Sequence, residues 1–199
     1  MDNKAMFNLT YGLFLLTAKD GGKDNGCVVN TVVQVTSQPN RITVAVNKEN
    51  YTCQMISKTG EFNVSVLSEK ANFETFRHWG MQSGKNADKT AGITFSRSEN
   101  GIIYIAEECN AYLSAKVVSA TDLGTHILFL ADVTDARILS DEKSATYAFY
   151  QANIKPKADQ PKKKGFICSV CGYIYEGETL PDDFICPWCN HPASFFKPL

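Results

Sequence analysis

The sequence predicts a mainly β protein, a small barrel with a few short helices, followed by a compact metal-binding module. Three observations carry this. Short β-branched and aromatic runs recur from about Phe7 to Tyr150, separated by turn clusters. Only two stretches in that range have helical character, which argues against a doubly wound sheet. Two Cys-x-x-Cys pairs, at 168/171 and 186/189, then occupy the last fifth of the 199 residues.

The expected strands are TYGLFLLTAK, CVVNTVVQVTSQP, RITVAVN, EFNVSVL, GIIYIAEE, AYLSAKVVSA and HILFLADVTDARIL. Turns are expected at DGGKDNG (20–26), SQPN (37–40) and SENG (98–101). YTCQMISKTG reads as a helix with Thr52 as N-cap and Gly60 just past its end. A second helix is expected at ANFETFRHW, residues 71–79. His78 and Trp79 at its end read as packing residues.

From Gln151 the composition changes. QANIKPKADQPKKK holds five Lys and two Pro against one Asp and has no periodicity that would bury a face. The expected division is a barrel over 1–151, a Lys/Pro linker over 152–164 and a module over 165–199. A flexible tether of this length has an r.m.s. span of ~20 Å. Residues 1–151 carry 14 basic and 16 acidic side chains, 152–165 carry 5 and 1, and 166–199 carry 1 and 4. A basic tether beside an acidic head suits electrostatic tuning of docking.

The chain's net charge of -1 gives no reason to expect nucleic-acid binding. The start lacks the basic and long apolar regions of a signal peptide, and no apolar stretch approaches 18 residues. With seven cysteines, four of them in metal-type pairs, a reducing cytoplasm is expected. Cys27, Cys53 and Cys109 lie in or beside apolar runs and read as buried small hydrophobes.

Two Cys-x-x-Cys pairs complete a tetrahedron of sulfurs around one ion, and spacing alone admits zinc or iron. Gly172 and Asn190, one after each pair, tolerate the left-handed turns that aim backbone N–H groups at sulfur. Tyr173, Tyr175, Phe184, Trp188 and Phe196 supply a small shielding core. CxxCGYIYEG followed by LPDDFxCPxC resembles a rubredoxin, which implies one iron held by Cys168, Cys171, Cys186 and Cys189. The interval between the pairs is shorter than in free-standing rubredoxins, and Asn190 stands where Gly is usual. Both features resemble rubredoxin modules fused to larger electron-transfer proteins.

The barrel lacks G-x-G-x-x-G and P-loop motifs. Asn30, Thr31, Gln34 and Thr36 fall on one expected strand, Asn47 and Lys48 end the next, and a helix starts near Thr52. Such a hairpin–helix unit suits a phosphorylated, hydrogen-bonding ligand. LTYGLFLLT, NTVVQVTSQP, NKENYT, EFNVSVLSE, SGKNADK and LGTHILFLADV, in that order, resemble the flavin reductase-like family with the FMN-binding split-barrel fold. That resemblance implies a homodimer with one FMN per chain. Asn30, Thr31, Val32, Gln34 and Thr36 would line the ring and ribityl chain; Asn47, Lys48, Tyr51, Thr52 and Lys89 would lie towards the phosphate. His126 is the candidate catalytic residue, though an Asp-His pair of the family is here Thr125-His126.

The whole chain resembles the high-molecular-weight rubredoxins, flavin reductase–rubredoxin fusions of anaerobic bacteria. The resemblance implies hydride transfer from NADH or NADPH to FMN, then single electrons to iron and on to a flavodiiron NO/O2 reductase or a rubrerythrin. Two alternatives stay open: a flavin/iron shuttle with no NAD(P)H activity of its own, and a zinc-ribbon binding module on a split barrel.

Overall fold

The computed structural model describes residues 2–156 and 165–199. Residues 157–164 of the expected linker lie outside the described residues. Its first three, 152–154, belong to a π-helical turn, Tyr150–Ile154, that continues a short helix α3 (Tyr147–Phe149).

Seven strands form one antiparallel sheet: β1 (Phe14–Asp20), β2 (Lys23–Val29), β3 (Val33–Ser37), β4 (Asn40–Asn47), β5 (Glu61–Leu67), β8 (Cys109–Asp122) and β9 (His126–Ile138). Their order across the sheet is β2-β1-β5-β8-β9-β4-β3. A separate hairpin joins β6 (Ser96–Arg97) to β7 (Ile103–Tyr104) around the SENG turn. Register shifts between β5 and β8, and twice between β8 and β9, bend the sheet into a barrel-like curl.

The period of two decides which side each residue faces. On β1, Leu16 and Ala18 enter a core with Val44 and Val46 of β4, Phe62 and Val64 of β5, and Cys53, Met55 and Ile56 of helix α1 (Tyr51–Thr59). Leu13 and Leu15 point the other way, into a second core with Phe76 and Trp79 of helix α2 (Phe73–Gly80), Ile103 and Tyr150. Both faces of β1 are therefore covered, which explains its unbroken apolar run. Cys27, Cys53 and Cys109 are buried free thiols, as expected.

The structure redraws several sequence boundaries. The run Cys27–Pro39 is not one strand: it breaks after Val29 and resumes at Val33, so Asn30 and Thr31 lie in the connection. Lys23–Gly26, read as turn, pairs with β1 and leaves only Gly21-Gly22 to reverse the chain. Helix α1 starts one residue before Thr52, with Asn50 at its N-cap and no side-chain cap hydrogen bond, while Gly60 ends it at φ 73°. Thr52 is instead fully buried inside the first turn and accepts a hydrogen bond from Asn25. Of GIIYIAEE, only Ile103 and Tyr104 are strand.

The C-terminal module is a three-stranded sheet, β11 (Ile174–Tyr175), β10 (Phe166–Cys168) and β12 (Phe196–Pro198) in that order. Four cysteines and Phe196 form its core, ringed by Tyr173, Tyr175, Phe184 and Trp188. Among the described residues no helix is long and apolar enough to cross a membrane.

Candidate flavin cleft and four-cysteine centre

The sulfur atoms of Cys168, Cys171, Cys186 and Cys189 lie within 4.8 Å of one another, all four residues being buried. Sulfur–sulfur distances are 3.6 Å for Cys168–Cys189 and 3.5 Å for Cys171–Cys186. Four ligands at ~2.3 Å from one tetrahedral ion would stand roughly 3.8 Å apart, so the cage fits a single metal. The two turns that hold it are built alike. Gly172 and Asn190 both take left-handed backbone, φ 82° and 56°, and donate N–H to the carbonyls of Cys168 and Cys186 at 2.9 and 2.8 Å.

Burial opposes ionisation of these thiols, and backbone amides oppose burial. Burial pushes the Cys171 thiol up to about 12 against a hydrogen bond from the Tyr173 amide. It also raises Cys189, which receives the His191 amide. At Cys168 burial acts in the same sense, but hydrogen bonds from the backbone of Cys171 and Val170, with those of the Cys189 and Cys171 thiols, together outweigh it and hold the thiol below its ordinary value. A buried cage of thiols with amides already aimed at sulfur suits a cation that draws the protons off.

The second feature is a cleft of about 380 Å³ beside the start of α1. Asn47 ends β4 at its rim, Tyr51 and Thr52 open the helix beneath it, and the segment 80–84 after α2 forms the opposite wall. Because α1 has no side-chain cap, its first amides are available to an anion. Asn25 is buried, gives its amide N–H to Thr52 Oγ1 at 2.9 Å and leaves Oδ1 without a partner. An orphaned acceptor at a cleft wall fits a ligand carrying hydroxyl or imide donors.

Lys89 reaches this cleft from the far side. The family resemblance implies a phosphate contact for it. Its side chain is instead buried, and Nζ donates to the carbonyl oxygens of Gly26 and Trp79 at 2.9 and 2.8 Å. Burial lowers its pKa to about 8, partly offset by the neighbouring Cys27. Burial in turn raises the Cys27 thiol to about 11, against a hydrogen bond from Thr52. His78, on the same helix as Trp79, has Nε2 2.7 Å from the Lys89 carbonyl oxygen.

Of the ten residues expected around flavin, the cleft thus gathers Asn47, Tyr51, Thr52 and Lys89. The others lie elsewhere. Val32 is buried in the first core. Thr31 is occupied by the Ala45 backbone, donating to its carbonyl at 2.7 Å and accepting its N–H at 3.1 Å. Gln34 and Thr36 sit on the exposed strand β3, bonded within the hairpin to Asn40 and to the Pro39 carbonyl. Asn30 is half-buried in the β2–β3 connection. Lys48 pairs with Asp122 at 2.6 Å. His126 is the register partner of Asn47 across β4–β9, with its Nδ1 2.9 Å from Thr125 Oγ1. Asn25 and Gly84 carry no site expectation from the sequence, Asn25 lying in a segment that reads as turn, and Cys27 reads there only as a buried small hydrophobe.

Comparison with known proteins agrees with both halves. Residues 6–158 match the flavin reductase like domain family, and residues 166–197 the rubrerythrin, rubredoxin-like domain. The chain belongs to the flavin reductase-like family. Its four-cysteine cage is the rubredoxin-like part of the same polypeptide.

A high molecular weight rubredoxin of Moorella thermoacetica is 35% identical over an alignment of 229 residues that covers all of both chains. A ferric-chelate reductase (NAD(P)H) of Archaeoglobus fulgidus is 35% identical over 157 residues, 79% of this chain and 93% of that one. Among solved structures, the NADH:FAD oxidoreductase SgcE6 of Streptomyces globisporus superposes with a TM-score of 0.64 at 21% identity, covering 71% of this chain and 84% of its own. At that identity the likeness is one of fold. The two partial matches thus cover 79% and 71% of this chain, whereas the Moorella match runs through barrel and cysteine module alike.

Proposed function

We propose that this flavin reductase-like chain takes hydride from NAD(P)H onto bound FMN and passes single electrons through iron in its four-cysteine centre to a partner protein. The observation that carries this reading is the joining, in one chain, of a flavin reductase-like barrel and a cage of four buried thiols. Flavin, when bound, accepts electrons in pairs and releases them singly, whereas a four-thiolate iron takes one at a time.

The residues have distinct tasks. The uncapped start of α1, at Tyr51 and Thr52, offers its amides to a single phosphate, which favours FMN over a dinucleotide. Asn25 Oδ1 accepts from the ligand, and Thr52 holds Asn25 in place. Lys89 keeps a positive charge behind the cleft while tying β2 to α2. His126, level with Asn47 at the rim, is the candidate for orienting the nicotinamide. The Archaeoglobus relative's named NAD(P)H activity supports the choice of donor. Around the metal, Tyr173, Phe184 and Trp188 exclude water.

The edge strand β3 exposes Val33 and Val35, and the β8–β9 hairpin exposes Val118 and Leu123. An unpaired apolar edge of this kind supports a homodimer. Such a dimer would bring a second chain to Gln34 and Thr36, which do not reach the cleft of their own. The acceptor is a soluble redox protein such as a flavodiiron reductase or a rubrerythrin, met by the acidic module.

One anaerobic titration tests the reading. Purified protein should be yellow and red, release FMN on denaturation, and lose flavin absorbance before iron absorbance when NADH or NADPH is added. A colourless protein with one zinc per chain would end the redox account. Retained colour that never bleaches with either nucleotide would leave a shuttle fed by another protein.

A further inference from the structure

The four-cysteine module does not stand clear of the barrel. The Trp188 ring, between two metal ligands in sequence, meets Phe73 at the start of α2 edge-on, with centroids 5.6 Å apart and planes at 66°. Met81, just beyond the end of α2, packs against the same module core. The cleft has a second wall: Val170, from the first metal turn, and His191, just past the second, line it together with Asn47, Tyr51, Thr52 and Gln82.

These contacts make one pattern. Both metal-binding turns face the cleft in which the flavin phosphate end is proposed, and the contact is aromatic and thioether rather than charged. Only eight residues, 157–164, separate the two described parts of the chain, a covalent reach of about 30 Å at full extension. Phe73, Met81 and Trp188 are each only half-buried, so the barrel offers a small apolar step rather than a permanent interface.

We propose that α2 and the residue just past it are a dock for the metal module of the same chain: Phe73 seats Trp188, Met81 meets the module core, and Val170 and His191 then close the flavin cleft. This rests on the proposed function in so far as the cleft is the flavin's. The dock sets the distance over which one electron passes from the reduced flavin to ferric iron, which becomes ferrous. A small contact also lets the same metal face leave the cleft to meet an external acceptor.

Two measurements read the dock without turnover. The chain has two tryptophans, Trp79 in the barrel and Trp188 in the module, so its indole N–H groups give two nuclear magnetic resonance signals in zinc-loaded full-length protein. Docked, both indoles should show the slow tumbling of one body. Met81→Glu, and separately Phe73→Ser, should speed the Trp188 signal alone while Trp79 keeps its position as a sign of an intact barrel. Equal Trp188 mobility in wild type and both variants overturns the proposal. A photo-crosslinking side chain at Gln82 then decides whose module is seated. A monomer-sized product joined to the peptides holding Val170 or His191 is expected. A dimer-sized product, or none with those peptides, refutes docking on the same chain.

Stopped-flow mixing with NAD(P)H separates this idea from the functional reading. Phe73→Ser, which lies outside the cleft lining, should leave flavin reduction unchanged and slow iron reduction by at least about tenfold. If NAD(P)H reduces neither centre while the crosslink forms, the donor assignment fails and the dock stands.

Discussion

Lys89 and Gly26 are joined by a buried hydrogen bond, Nζ to carbonyl oxygen at 2.9 Å, that ties the loop after α2 to strand β2. A second bond to the Trp79 carbonyl completes the link, with no carboxylate beside the ammonium among the causes of its shift. Holding a charge there costs stability, and the cost depends on pH. The folded pKa, about 8, lies below the ordinary 10.5. Between those values the unfolded chain binds more protons, so stability rises with pH.

Wild type should therefore gain on Lys89→Met from pH 8 towards 9, by at most about 1.4 kcal/mol per pH unit. Urea unfolding of the barrel at several pH values checks this. Above pH 9 the raised Cys27 thiol acts in the opposite sense, because the unfolded chain loses that proton first. The comparison with Lys89→Met should be made below that point. A difference between the two proteins that does not change between pH 7 and 9 would contradict the buried-charge account.

Much of this arrangement was legible in the sequence, and the exceptions have physical causes. EFNVSVL gave β5 at its exact bounds because both its neighbours, β1 and β8, are long partners that leave no frayed end. The metal cage was readable because its ligands come in pairs with two residues between them in local turns, and Gly172 and Asn190 encode those turns directly. The cleft was only half readable. Asn25 was hidden in what looked like a turn, since Asp-Asn-Gly reads as a reversal until its pairing with β1 is known. The burial of Lys89 was not readable, because nothing local foretells that two carbonyls 63 and 10 positions away will satisfy it. Thr31 looked like a ligand contact, but the Ala45 backbone takes both its donor and its acceptor.

Gly84 supplies a steric test of the cleft. A Cβ added there would run into the Asn25 side-chain amide, whose Oδ1 is the unpartnered acceptor. Gly84→Ala should cost roughly 1–3 kcal/mol through overpacking and should displace Asn25. Flavin occupancy after purification should fall together with the melting temperature. Adding excess FMN should restore part of both. If Gly84→Ala keeps full flavin content, Asn25 has no part in the site.

His126 can be separated from binding of the flavin. It lies opposite Asn47 in the β4–β9 ladder, but its ring is engaged by Thr125 rather than by a carboxylate. His126→Gln should leave flavin content unchanged and raise KM for NAD(P)H by roughly threefold to tenfold, with kcat little altered, as for lost positioning. Steady-state kinetics at several nucleotide concentrations decide. A fall in kcat with KM constant would instead assign His126 a part in the chemical step.

Removing one ligand should separate the two halves of the chain. Cys186 opens the second metal turn, is completely buried, and its carbonyl accepts the Asn190 amide. Cys186→Ser should lower iron content more than ~10-fold while flavin content and NAD(P)H-dependent flavin reduction persist. Metal analysis alongside the flavin spectrum reads both at once. Loss of flavin together with iron would mean that the module is needed to hold the cleft closed.

Asn190 tests how finely the second metal turn is set. It stands at φ 56°, the counterpart of Gly172 at φ 82°, and its amide closes the turn on the Cys186 carbonyl. An ordinary side chain there costs about 1–2 kcal/mol, which Asn partly escapes and glycine escapes entirely. Asn190→Ala should thus speed loss of metal to a chelator by about tenfold, and Asn190→Gly should match or slow the wild-type rate. Chelator challenge followed by the iron absorbance measures both. Equal rates in Ala and Gly variants would mean that the Asn190 backbone relaxes without strain, and that the turn is held by the metal rather than set in advance by the chain.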